Sequence, residues 1–139
     1  MASRADWPVL AVIAAGGALG ALGRYGLTVA WPPGPAGFPV ATLAVNVSGC
    51  LAIGALLTVV DRRRTGRLTR PFLGTGVLGG YTTFSAYVLD TFDVVAAGRP
   101  LVAAAYLGGT VLAALAATWL GAGLTEAALD AAHHRRERP

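Results

Sequence analysis

Thr42 and Asn46 stand four residues apart inside an otherwise apolar run, so in a helix they share one face. An amide in such a run has two uses. It can hydrogen-bond a neighbouring helix, worth about 0.6 to 2 kcal/mol, or it can present N–H donors to a polar path. A second polar cluster reads Gly74-Thr75-Gly76-Val77-Leu78-Gly79-Gly80-Tyr81-Thr82-Thr83-Phe84-Ser85. Glycine costs about 1 kcal/mol against alanine in a helix, and the paired threonines are β-branched, so a continuous helix is not expected here. A break exposes carbonyls and amides, which is tolerable at membrane depth only where they coordinate something or line a wet cavity. Neutral, hard oxygens suit a cation such as Na⁺; close packing of small residues is the alternative. Tyr106 and Thr110, again four apart, put two hydroxyls on one face. Arg24 ends an apolar run, where it either anchors the helix by snorkelling or sets a positive vestibule for anions.

These residues need a scaffold, and composition says of what kind. The chain has 139 residues, 55% hydrophobic and 13% charged, against roughly 25% charged in a soluble domain, and its mean hydropathy is +0.60. A soluble domain and a disordered segment are both excluded. Uncharged runs predict four transmembrane helices at about 8–31, 40–60, 71–98 and 101–124, in one membrane domain with a basic tail over 125–139. The first two are joined by Trp31-Pro32-Pro33-Gly34-Pro35-Ala36-Gly37-Phe38-Pro39, whose prolines stop a helix and whose Trp31 and Phe38 suit the interface. Asn46 then lies about 10 Å along its helix from Pro39, and Gly79 to Ser85 lie about 12 to 21 Å from Pro71, near the midplane. Gly16 and Gly20 form a small-xxx-small face for close helix approach. The single Cys50 can form no intrachain disulfide.

Charge orients the bundle. All eleven basic residues are arginine, and an even number of spans puts Arg4, Arg62, Arg63, Arg64, Arg67, Arg70, Arg135, Arg136 and Arg138 on one side, with Arg24 and Arg99 on the other. The positive-inside rule then predicts both termini in the cytoplasm of a multi-pass protein of the cell membrane. No Asp, Glu or His stands in mid-span, since Asp90 and Asp93 come near the membrane exit. A proton-coupled antiporter needs a midplane carboxylate. Nor is there a nucleophile–base pair, a phosphate loop or a Cys/His metal spacing, so no enzyme is expected.

Three segments together resemble the fluoride channel family called CrcB or Fluc: Gly16-Gly17-Ala18-Leu19-Gly20-Ala21-Leu22-Gly23-Arg24-Tyr25, Thr42-Leu43-Ala44-Val45-Asn46-Val47-Ser48-Gly49, and Gly79-Gly80-Tyr81-Thr82-Thr83-Phe84-Ser85. The resemblance runs through all four spans in order. It implies an all-α membrane protein with a break in the third helix, working as an antiparallel dimer that gives passive fluoride efflux and lowers cytoplasmic fluoride. It further implies a structural, untransported Na⁺ on the carbonyls of Gly79 and Thr82. Asn46 matches the pore asparagine, Phe84 the first pore phenylalanine, and Thr83 and Ser85 the polar track beside it. Tyr106 and Thr110 resemble the fourth-helix tyrosine and hydroxyl pair, Arg24 the first-helix arginine, and Asp90 the acidic residue after the break. Two positions depart from the pattern: Tyr87 replaces the second pore phenylalanine, and Ala41 a glycine before Thr42.

A small proton-coupled multidrug-type exporter has similar size and span count, and a non-conducting assembly partner is a third reading. A dimer of antiparallel copies of one chain requires insertion in both orientations. The nine-to-two arginine bias therefore favours an oppositely oriented paralogue as the second four-helix subunit over self-pairing.

Overall fold

The computed structural model describes residues 6–32, 37–63 and 65–136. Arg4, Arg64, Arg138, the side chain of Arg136 and residues 33–36 of the first connection lie outside them. The described chain is helical: α1 (Trp7–Ala30), α2 (Val40–Arg62), α3 (Arg70–Leu78), the single turn α4 (Gly79–Tyr81), α5 (Phe84–Ala96) and α6 (Pro100–Arg136). Among the described residues three helices are long and apolar enough to cross a membrane, α1, α2 and α6. The third expected span, 71–98, holds α3, α4 and α5, and the backbone between α4 and α5 is extended at Thr82 (φ −72°, ψ 157°) and Thr83 (φ −148°, ψ 125°).

Backbone contact through glycine sets the packing. A Cβ at Gly16 would lie 2.5 Å from the Phe72 carbonyl oxygen, and one at Gly20 would collide with the Val77 carbonyl, so α1 and the α3–α4 segment run side by side in the same direction. Gly54 and Gly121 do the same for α2 and α6, meeting the carbonyls of Thr118 and Leu51. Small residues let helix backbones approach where no hydrophobic force drives association. The sequence reading assigned this role to Gly16 and Gly20 and overlooked Gly54 and Gly121. The α3 segment is π-wound, the Gly79 amide reaching back to the Gly74 carbonyl, a widened turn that no feature of the sequence pattern signalled.

At the far corner, α5 ends in a Schellman turn: Gly98 takes φ 76°, its amide bonds the Val95 carbonyl (2.9 Å) and the Arg99 amide bonds that of Val94 (3.2 Å). Pro100 then starts α6 at the position where its missing amide costs nothing. The parallel pairing collects Arg62, Arg63, Arg67, Arg70 and Arg135 at one end of the bundle. The basic tail is no separate segment there, since α6 continues through it to Arg136. Alanine-rich sequence favours that continuation, and Arg62 holds it by ion pairs to Glu126 (2.6 Å) and Asp130 (2.9 Å).

Candidate functional site

The site is built around the two extended residues, and their backbone bonds explain it. Asn46 on α2 grips Thr83 with both ends of its amide: Nδ2 donates to the Thr83 carbonyl and Oδ1 accepts from the Thr83 amide, each at 2.9 Å. In a continuous helix the Thr83 amide would donate to the carbonyl of Gly79. Asn46 takes that donor away. One step along, the Ala86 amide, which a continuous helix would give to Thr82, is captured by the Thr83 hydroxyl (3.2 Å), which N-caps α5. The carbonyls of Gly79 and Thr82 thus both lose their helical donors, and they are the pair the family resemblance assigns to a cation. The Thr82 hydroxyl folds back onto the Leu78 carbonyl (2.9 Å) and closes the end of α4.

Beside these two extended residues lies a cavity of about 370 Å³ whose lining includes Asn46, Gly79, Thr82, Thr83, Phe84, Tyr87 and Thr110, with Ile53, Leu78 and Val111 among its apolar wall. The structure therefore brings seven of the expected site residues to one space. Thr110 is 4% exposed, and its hydroxyl has no hydrogen-bond partner among the described residues. A buried orphan donor costs about 1 to 3 kcal/mol.

Aromatic rings continue away from the cavity. Phe84 and Tyr87 have centroids 5.7 Å apart, Tyr87 and Tyr106 5.5 Å, and Tyr106 meets Phe38 edge to face at 5.6 Å. Phe38, read from sequence as interfacial only, packs its ring on Tyr106. Tyr87, the departure from the family pattern, donates its hydroxyl to the Leu107 carbonyl at 2.6 Å. The extra oxygen is tied to α6.

The other expected residues fall beside the cavity. Tyr106 is 2% exposed and donates to Asp90 Oδ2 (3.4 Å), with Thr42 hydrogen-bonded to the same hydroxyl. Ser85 is exposed and touches the Thr83 hydroxyl (3.3 Å). Arg24 makes a contact the sequence did not suggest: its Nε donates to the Gly80 carbonyl (3.3 Å), placing a cation at the C-terminal end of the α3–α4 segment, where the helix dipole favours one. Tyr81, which the sequence reading gave no role, wedges against Gly23 and Gly49 and shares a hydrogen bond with Ser48 (2.9 Å). Among the described residues no cluster of His, Cys, Asp and Glu could hold a metal ion, so the oxygens on offer to a cation here are neutral.

The family model described as CrcB-like protein, Camphor Resistance, matches residues 11–122. The chain is 49% identical over 125 residues to fluoride-specific ion channel FluC 1 of Streptomyces coelicolor, covering 86% of this chain and 81% of that one. It is 48% identical over 133 residues to FluC 2 of Thermobifida fusca (95% and 98%), and 47% identical over 109 residues to FluC of Paracoccus denitrificans (78% and 87%). By the family match and by these identities, the chain belongs to the CrcB-like family.

Proposed function

We propose that this chain is a fluoride-specific ion channel subunit giving passive efflux, with the anion path running along the cavity from Asn46 and Thr110 past the edges of Phe84 and Tyr87. The observation that carries the reading is a cavity lined by neutral polar and aromatic residues, Asn46, Thr83, Phe84, Tyr87 and Thr110 among them, beside which the buried hydroxyl of Thr110 has no partner among the described residues. Fluoride is small and strongly hydrated, so a dry path must replace its water by donors. Thr110, the remaining N–H of Asn46 and the positive ring edges do this without a full charge, and binding stays weak enough to release the ion. The relatives' names point to the same ion.

The α3–α4 segment and α5 together make the third span, broken at Thr82–Thr83. Phe84 is 77% exposed beside the cavity and Tyr87 only 5%, which supports a second subunit covering Phe84; the family resemblance has that subunit packed antiparallel. The freed carbonyls of Gly79 and Thr82 fit a structural Na⁺: two neutral oxygens per chain become four at a two-fold axis, and they suit a hard monovalent ion rather than a thiolate- or imidazole-seeking one. When bound, that ion would join the subunits and offset carbonyl repulsion, while Asn46 and Thr83 hold the break open from within each chain. The arginine end faces the cytoplasm with both termini.

Purified protein in liposomes should release fluoride electrogenically, with little chloride flux and no imposed proton gradient. Flux that requires a pH gradient would mean a proton-coupled exporter, and no flux from the chain alone would mean an assembly partner. Replacing Na⁺ with a large organic cation should abolish flux and weaken the dimer; unchanged flux removes the Na⁺ assignment alone.

A further inference from the structure

We propose that the arginine pocket between the end of α2 and the start of α3 binds the phosphate of an anionic phospholipid. This pocket, about 460 Å³, is lined chiefly by Asp61, Arg62, Arg63, Thr65, Arg67 and Arg70, and it lies apart from the cavity and the break. Four guanidinium groups face one carboxylate there. Arg62 is already compensated by Glu126 and Asp130 on α6. Among the described residues Arg63, Arg67 and Arg70 form no ion pair, which leaves three positive charges against Asp61.

The start of α3 sharpens the imbalance. Its first turn contains no acidic residue, and Thr69 makes no side-chain cap. A helix N-terminus carries partial positive charge and favours an anion, yet here it is flanked by Arg67 and Arg70. Charges of one sign stacked on the matching end of a dipole call for an anionic ligand from outside the chain. Arginine provides it with a planar fork of donors that grips phosphate oxygens in pairs.

The depth of the pocket selects the source of that phosphate. It opens where two apolar runs end, after Val60 and before Pro71, which is the level of lipid headgroups, and basic residues beside an anionic leaflet attract its lipids. A phosphodiester headgroup bound there would bridge the ends of α2 and α3 and hold the basic end of the bundle at the membrane surface.

The test uses the full chain in nanodiscs of phosphatidylcholine mixed with phosphatidylglycerol, followed by native mass spectrometry of the lipid retained. Wild-type protein should retain phosphatidylglycerol in preference to phosphatidylcholine. Arg67→Gln with Arg70→Gln should weaken that retention about 25-fold, at about five-fold per arginine near an anionic surface. Arg135→Gln, outside the pocket, should leave retention at the wild-type level, and Arg67→Lys with Arg70→Lys should fall between. Equal retention in the double glutamine variant and the Arg135 control would overturn the proposal. So would displacement of the lipid by millimolar inorganic phosphate, which would mark a free-anion site. Should the double variant fail to fold, wild-type protein alone decides: less than a two-fold preference for phosphatidylglycerol would overturn the assignment.

Discussion

Asn46 does two jobs that substitution can separate. Its amide satisfies both the N–H and the C=O of Thr83, and its second N–H is the donor we propose for the anion. Asn46→Ala removes both bonds and leaves two backbone groups without partners, at about 1 to 3 kcal/mol each or about 2 to 6 kcal/mol together. The Thr83 amide, freed from Asn46, should then exchange its hydrogen at least tenfold faster in membrane-reconstituted protein. Asn46→Asp keeps the acceptor for that amide but sets a carboxylate against the Thr83 carbonyl and against the ion. A carboxylate 4 Å from an anion costs about 4 kcal/mol at an effective dielectric constant of 20, so flux should fall roughly a thousand-fold at pH 8 while Thr83 protection changes far less than in Asn46→Ala. Lowering the pH until the new carboxyl is neutral should restore part of the flux. Exchange at Thr83 that is identical in wild type and Asn46→Ala would refute the clasp. Wild-type flux in Asn46→Asp at pH 8 would refute the donor role.

Tyr87→Phe should leave fluoride flux within about two-fold of wild type and cost about 1 kcal/mol of stability, because the lost hydroxyl serves Leu107 and not the path; a large gain in flux would show that it obstructs an ion. Thr110→Val should stabilise the protein by about 1 to 3 kcal/mol in thermal unfolding, by removing an orphan donor, and should lower flux; a destabilised Val variant would mean the hydroxyl already has a partner. Phe84→Ile removes a ring edge while keeping bulk, so flux should drop in liposome efflux without loss of folded protein. A pair of C-terminal reporters active on opposite sides of the membrane should light on the cytoplasmic side alone when the chain is expressed by itself, as nine arginines against two require; equal signals would show insertion both ways and make self-pairing the expected dimer.

Hydrocarbon penalises polar groups so strongly that residues tolerated in it stand out on the page, which is why Asn46, the Gly79 to Ser85 run and Thr110 could be picked from the chain without coordinates. What they bond to could not be picked the same way. Partners depend on how each helix is rotated against its neighbours, and Asn46 meets Thr83 across 37 positions of chain. Arg24 shows the same limit. Helical rise put it near the far interface, a place for an anchor or a vestibule, yet α1 and the α3–α4 segment approach so closely at Gly16 and Gly20 that its side chain reaches the Gly80 carbonyl. The π winding of α3 left no mark in the sequence pattern, and the run of α6 through the tail, though its alanines favour it, was read from the chain only as a basic tail.

The extended pair Thr82–Thr83 has a cause that propensity misses. Glycines and β-branched threonines make a helix here weak, by about 1 kcal/mol per glycine, but weakness alone gives a frayed segment rather than a fixed one. Two substitutions of donor fix it: the Asn46 amide replaces the Gly79 carbonyl as partner of the Thr83 amide, and the Thr83 hydroxyl replaces the Thr82 carbonyl as partner of the Ala86 amide. Each exchange keeps the amides satisfied and leaves a carbonyl without its donor. Orphaned carbonyls at membrane depth need an outside partner, so under the proposed function the residue that offers a donor to the anion is also the one that leaves an oxygen for the cation. Removing Asn46 should therefore weaken the response of dimer stability to Na⁺ as well as flux, whereas Thr110→Val should lower flux and leave that response intact.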